Sequence, residues 1–120
     1  MQVAITGGPR TGKTTMARGL DAAARSTDEY QGLGWSNASA VCASWFSPGG
    51  PAVAEGVAIP RALRKWLKTN PGRPCDEVVV LRTPRVARSN GQIAMGKGVE
   101  TVMREIEPEL LARGVTVRWE

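Results

Sequence analysis

The sequence contains no histidine. That single absence removes Ser-His-Asp triads, Cys-His dyads and HExxH zinc sites from the possible chemistries. Cysteine is nearly absent too. Cys42 and Cys75 stand far apart with no CxxC pairing, which suggests neither a metal knuckle nor a redox pair and reads as two buried or free thiols in a reducing compartment. No run approaches 18 consecutive apolar residues, so no membrane-spanning helix is expected. The first residues lack a basic segment followed by an apolar stretch, so no secretory signal is expected and a cytoplasmic location is. What is there is a chain of 120 residues with 42% apolar content, enough for one domain with one core and not for a separate substrate domain.

Charge is the first positive signal. Lys and Arg total 16 against 11 Asp and Glu, a net charge of +5. Residues 1–60 are balanced, with four cations and four anions. Residues 61–98 carry nine cations against Asp76 and Glu77, and residues 99–120 are net acidic. A basic block of this kind attracts polyanions or phosphorylated substrates, although a solvated helix face plus a loop would give the same count.

The hydropathy pattern alternates strands and helices. Gln2–Thr6 reads as a buried strand and Lys13–Leu20 as a helix with Met16, Ala17 and Leu20 on one side. Ala22–Thr27 reads as a second strand, closed by Asp28. Ala38, Val41, Cys42 and Trp45 make a helical stripe across Ser36–Phe46. After the break at Ser47–Pro51, Ala52–Glu55 reads as a strand, and Pro60 occupies a first-turn position of a helix reaching about Thr69. Glu77–Leu81 is the clearest strand. A last helix is expected over Val99–Arg113, kinked or restarted at Pro108 and ended by Gly114, before a final strand Val115–Trp119. Trp45, Trp66 and Trp119 read as core. This alternation implies an α/β fold with a parallel sheet and helices on both faces.

Gly7-Gly-Pro-Arg-Thr-Gly-Lys-Thr14 satisfies G-x-x-x-x-G-K-[ST] at every defined position, with a strand before it and a helix after it. Backbone N–H groups in such a loop, together with the helix N-terminus, cradle phosphates, and the glycines let the backbone close without Cβ clashes. The expected nucleotide-binding set is Gly7, Gly8, Pro9, Arg10, Thr11, Gly12, Lys13, Thr14 and Thr15. Lys13 would supply charge to the β- and γ-phosphates of ATP and Thr14 a hydroxyl ligand to Mg²⁺. No strand ends in the Asp-Glu pair of motor ATPases, and no Asn-Lys-x-Asp guanine motif is present.

The chain resembles the adenylate-kinase-like P-loop kinases, including shikimate kinase and the kinase domain of polynucleotide kinase. The likeness covers the whole chain in element order, and the phosphate loop is its specific part. It implies a three-layer P-loop NTPase fold with a five-stranded parallel sheet in the order 2-3-1-4-5. It also implies a short lid over about residues 83–98, whose glycines suggest a mobile loop. The chain departs from the likeness at its end: Glu120 follows the last strand where longer members continue into part of the adenine pocket, which leaves the donor base open.

The resemblance assigns further roles. Asp28, in Ser26-Thr-Asp-Glu-Tyr30, matches the aspartate that deprotonates the attacking hydroxyl, with capping of the next turn as its alternative and Glu29 as a lesser substitute. Glu55 matches a strand-end position facing the acceptor and the Mg²⁺ waters, or else ends the strand structurally. Arg61, Arg64, Lys65 and Lys68 form one basic helix face, suited to an acceptor phosphate or to solvent. Arg82, Arg85 and Arg88 follow the fourth strand where the lid begins, whose arginines close on the transferring phosphate. Arg85 and Arg88 are the expected catalytic pair, and Lys97 is expected to reach phosphate as well. Trp35 is a candidate to stack on an acceptor base, or to staple a helix start.

These residues together predict an ATP- and Mg²⁺-dependent kinase. The favoured acceptor is a hydroxyl on nucleic acid, either a 5′ end or a hydroxymethylated base. The alternatives are a nucleoside or nucleoside-monophosphate kinase, and a nucleotide-binding regulatory or DNA-binding module without kinase activity.

Overall fold

The computed structural model describes residues 1–47 and 49–120. Five strands form one all-parallel sheet: β1 (Val3–Gly7), β2 (Arg25–Ser26), β3 (Val53–Glu55), β4 (Glu77–Leu81) and β5 (Thr116–Trp119). Their order is β2-β3-β1-β4-β5, as the resemblance implied. The central strand β1 is paired along its length with β4, from Val3 opposite Glu77 to Gly7 opposite Leu81. No helix is long and apolar enough to cross a membrane among the described residues.

Alternation along the strands builds two unequal cores. Ala4, Ala54, Val78 and Val80 point to one face and pack with Cys42, Ile59, Leu63, Trp66, Met103, Ile106 and Leu110. These come from α2 (Trp35–Ala43), α3 (Ile59–Thr69) and α4 (Asn90–Ala112). Ile5, Val53 and Val79 point to the other face, where Ala17 of α1 (Lys13–Leu20) covers them. Helices therefore flank both faces, three against one. Cys42 and Cys75 are free and buried. Desolvation pushes the thiols up to about 11 and about 12 respectively, which leaves both protonated and unreactive at neutral pH.

Several boundaries differ from the sequence reading. The second strand is only Arg25–Ser26, because Asp21 folds residues 21–24 into a turn: its carboxylate accepts from the Ala23 N–H at 2.9 Å and its carbonyl from the Ala24 N–H at 3.0 Å. The second helix tightens into a 3₁₀ turn at Ser44–Phe46, and Val41 faces outward instead of joining the buried stripe. Leu20 of α1 is likewise exposed.

The largest difference is α4. It begins at Asn90 instead of Val99 and runs unbroken through Pro108 for 23 residues. Ser89 starts it with a reciprocal capping box, accepting from the Gln92 N–H at 3.2 Å while Gln92 Oε1 accepts from the Ser89 N–H at 3.0 Å. Pro108 is exposed, and burial of Ile106 and Leu110 on either side holds the helix across it. Only residues 83–89 of the expected lid are loop; the remainder is the first turns of α4. Trp119 is half-buried rather than core. The guanidinium groups of Arg82 (5.6 Å) and Arg104 (5.3 Å) both lie over its ring, and its Nε1 donates to Glu107 at 2.6 Å.

Candidate functional site

The glycine-rich loop joins β1 to α1 at the C-terminal edge of the sheet, where open parallel sheets bind ligands. Gly12 takes the left-handed conformation (φ 87°) and starts α1 without any side-chain cap or first-turn acid, so the helix amides remain open to an anion. Arg10 is the one non-glycine among the described residues with positive φ, at 62°. The strain, about 1 kcal/mol or more, is held by a backbone bond from the Arg85 N–H to the Arg10 carbonyl at 2.8 Å. Inside the loop the Gly8 carbonyl accepts from both Thr11 Oγ1 and Lys13 Nζ, each at 2.8 Å. Burial lowers the Lys13 pKa from its usual 10.5; Glu55 and Asp28 oppose the shift and Arg88 adds to it.

Three further elements close around the loop. Glu55, at the end of β3, is only 2% exposed, and its Oε1 accepts from Thr14 Oγ1 at 3.1 Å. Arg85 lies against Gly12 so closely that a Cβ there would be 2.6 Å from its Nε. Arg88 packs its guanidinium on Gly8 and Gly96, and Gly8 in turn meets α4, with a Cβ on Gly8 falling 2.6 Å from the Gly96 Cα. Of the three expected lid arginines, Arg85 and Arg88 reach the loop, while Arg82 lies over Trp119 instead. Thr14 and Glu55 offer hard oxygen donors of the kind Mg²⁺ accepts when phosphate oxygens and water complete its shell, so the pair fits the expected ion.

Asp28 lies on a 3₁₀ helix, Thr27–Leu33. The capping is done by Ser26, whose Oγ accepts from the Asp28 N–H at 3.2 Å. The Glu29 carboxylate closes the capping box on the Ser26 N–H at 3.2 Å and also accepts from Arg25 at 3.0 and 3.2 Å. The Arg25 hydrogen bonds hold the Glu29 carboxyl below its usual range. Glu29 is thus committed to structure, and the Asp28 side chain is exposed and caps nothing.

Two adjoining cavities meet at Asp28. The larger, about 390 Å³, is lined by the loop (Pro9, Arg10, Gly12), Lys13, Thr14, Thr15 and Glu55, with Gln92 and Met95 from α4. The smaller, about 280 Å³, is lined by Thr27, Gly34, Trp35, Ala38 and Ala58. Asp28, Gln31, Val57 and Met95 line both.

Of the expected acceptor residues, Trp35 lines the smaller cavity and is 46% exposed. Arg61 places its guanidinium 5.0 Å from the Trp35 ring centre. Lys97 is exposed on α4, beside Gly98, which Arg61 approaches. Arg64 is not brought to the site: it pairs with Glu105 at 2.9 Å, tying α3 to α4. Lys65 donates to the Ser36 carbonyl at 2.6 Å and ties α3 to α2. Half of the expected basic face is therefore structural. Sequence reading missed Gln31, Val57, Gln92 and Met95. The usable signal was Ser89 followed three residues later by Gln92, a helix start that places Gln92 and Met95 one turn apart on α4.

Set beside family models, curated proteins and solved structures, the chain matches none of them.

Proposed function

We propose that the protein is an ATP-dependent phosphotransferase that moves the γ-phosphate to a hydroxyl on a nucleic-acid acceptor. The observation that carries this reading is the position of Asp28 in the wall common to both cavities. A donor in the loop cavity and an acceptor in the smaller one would meet there.

In this reading the loop amides and Lys13 hold the triphosphate, and Arg85 and Arg88 neutralise charge on the transferring group. Asp28 takes the proton from the acceptor hydroxyl. The hydroxyl oxygen forms a new bond to the γ-phosphorus as the bond from that phosphorus to the β–γ bridging oxygen breaks, and ADP leaves. Thr14 and Glu55 would hold Mg²⁺, which supplies charge neutralisation on the phosphate oxygens.

The modest volume of the smaller cavity, about 280 Å³, favours a second reading in which the acceptor is a free nucleoside or nucleoside monophosphate. Both readings are tested by offering labelled ATP with nucleosides, nucleotides, 5′-hydroxyl oligonucleotides and hydroxymethylated DNA. Label is expected in an oligonucleotide acceptor, and Asp28→Asn is expected to lower transfer by at least about 10²-fold while nucleotide affinity stays within about twofold. Normal transfer by Asp28→Asn removes the base assignment. Label in no acceptor removes the kinase reading and leaves a nucleotide-binding module.

A further inference from the structure

In a 3₁₀ helix, with three residues per turn, side chains at i and i+3 eclipse one another. Asp28, Gln31 and Gly34 stand at that spacing on the segment Thr27–Leu33 and its cap. They form one row, and all three line the smaller cavity. The row begins with the carboxylate, continues with a carboxamide and ends with a residue that has no side chain. Gly34 (φ 82°) has open space around it, so the row ends in a gap and not a wall. The other lining groups are an exposed indole, Trp35, and the apolar side chains of Ala38, Val57, Ala58 and Met95, with Thr27 buried at 3% exposure.

Two uncharged side chains in this lining carry both a donor and an acceptor: Thr27, whose buried Oγ1 has no hydrogen-bond partner among the described residues, and Gln31, which alone is not buried and sets the two groups side by side. The Gln31 side-chain amide is not engaged by another side chain among the described residues, and its backbone carbonyl accepts from the Gly34 N–H at 3.4 Å. A carboxamide presents a hydrogen-bond donor beside an acceptor, the complement of a heterocycle edge that offers an acceptor beside a donor. The indole offers a stacking face, and Arg61 holds it from outside the cavity. The volume of about 280 Å³ lies at the lower end of small-ligand sites, room for one base and not for a base pair.

We infer that the smaller cavity takes a single unpaired heterocyclic base of the acceptor against Trp35 and that Gln31 reads its hydrogen-bonding edge. Gln31 is a specificity-determining residue in this account. The inference rests on the phosphotransfer reading and deepens it: the acceptor hydroxyl belongs to a nucleotide whose base is out of the stack, so paired DNA must first release it.

The test uses oligonucleotides carrying the same reactive hydroxyl next to a natural base, a non-polar isostere of that base, or an abasic residue, each single-stranded and in duplex. Wild-type kcat/KM is expected to favour the natural base over its isostere by roughly tenfold, mostly in KM. Gln31→Leu should lose that preference, and Gln31→Glu, which keeps the size and the acceptor but not the donor, should lose part of it. Single-stranded acceptor should exceed duplex, with a mismatch restoring the duplex. Equal transfer to all three residues would overturn the base reading and leave the kinase reading standing. If no acceptor is phosphorylated the kinase reading falls, and fluorescence quenching then decides the cavity. Quenching that is lost in Trp35→Phe, and stronger with the natural base than with the isostere, supports the base reading. Equal quenching overturns it.

Discussion

Lys13 is held by its own loop. Its ammonium donates to the Gly8 carbonyl, and burial has already lowered its pKa. A lysine in this state loses its proton at lower pH than the same residue in the unfolded chain. Its contribution to folding stability therefore rises with pH through the lowered pKa and levels off at the ordinary value of 10.5. Phosphate binding runs the other way, because it needs the charge. Nucleotide affinity is expected to fall as pH rises through the alkaline range, beginning below 10.5, and the fall should be much flatter in Lys13→Arg; titration calorimetry against pH measures both. At this scale the sequence was informative wherever a motif fixed the backbone. Gly12, Lys13 and Thr14 stand as the loop pattern required, and Asp28, Arg85 and Arg88 converge on it. Gln31 carried no motif. Its place depends on the segment after Ser26 winding as 3₁₀ helix, and no hydrophobic periodicity in residues 27–33 announces that.

Between elements, the contact that organises the site is glycine on glycine. Gly8 of the loop meets Gly96 of α4, and the Arg88 guanidinium lies against both. A glycine inside a helix costs about 1 kcal/mol relative to alanine, and here it lets a helix approach the loop backbone. Read as sequence, Gly91, Gly96 and Gly98 resemble a loop. The reciprocal cap at Ser89 and Gln92, and the close approach at Gly96, explain why they are helix. Sequence reading saw the glycines and could not see the surface they fit. The two sides of this contact should respond differently to a methyl group. Gly8→Ala drives a Cβ into the Gly96 backbone and is expected to destabilise the fold by about 1–3 kcal/mol. Gly96→Ala meets the movable end of Arg88 and should leave thermal stability nearly unchanged while slowing transfer. Thermal unfolding and transfer rates measured on both variants check the asymmetry; equal loss of stability would count against it.

Over the whole molecule, ion pairing sorts the cations. Arg25, Arg64, Arg73, Arg104, Arg113 and Arg118 are all paired with carboxylates. Ten cations form no salt bridge among the described residues. Six of them, Arg10, Lys13, Arg61, Arg85, Arg88 and Lys97, lie at or beside the two cavities, while Arg18, Lys65, Lys68 and Arg82 line neither. Most of the unpaired positive charge thus gathers around the two cavities, where the proposed polyanion would lie. Oligonucleotide binding that uses three or four of them is expected to weaken with salt at a log–log slope of about −2 to −3; a flat dependence would exclude a phosphate-tracking acceptor. The division of the basic block into structural and free halves was not legible in the sequence, because Glu105 and Ser36, which engage Arg64 and Lys65, are remote in the chain. The shared wall between the cavities has a thermodynamic consequence. Asp28, Gln31, Val57 and Met95 line both cavities, so on the proposed reading whichever ligand arrived first would fix side chains that the second also needs. The two affinities are then linked, and linkage is reciprocal: a non-hydrolysable ATP analogue should tighten acceptor binding by the same factor by which acceptor tightens the analogue. Measuring both Kd ratios closes the cycle, and a ratio of one on either side would make the two cavities independent.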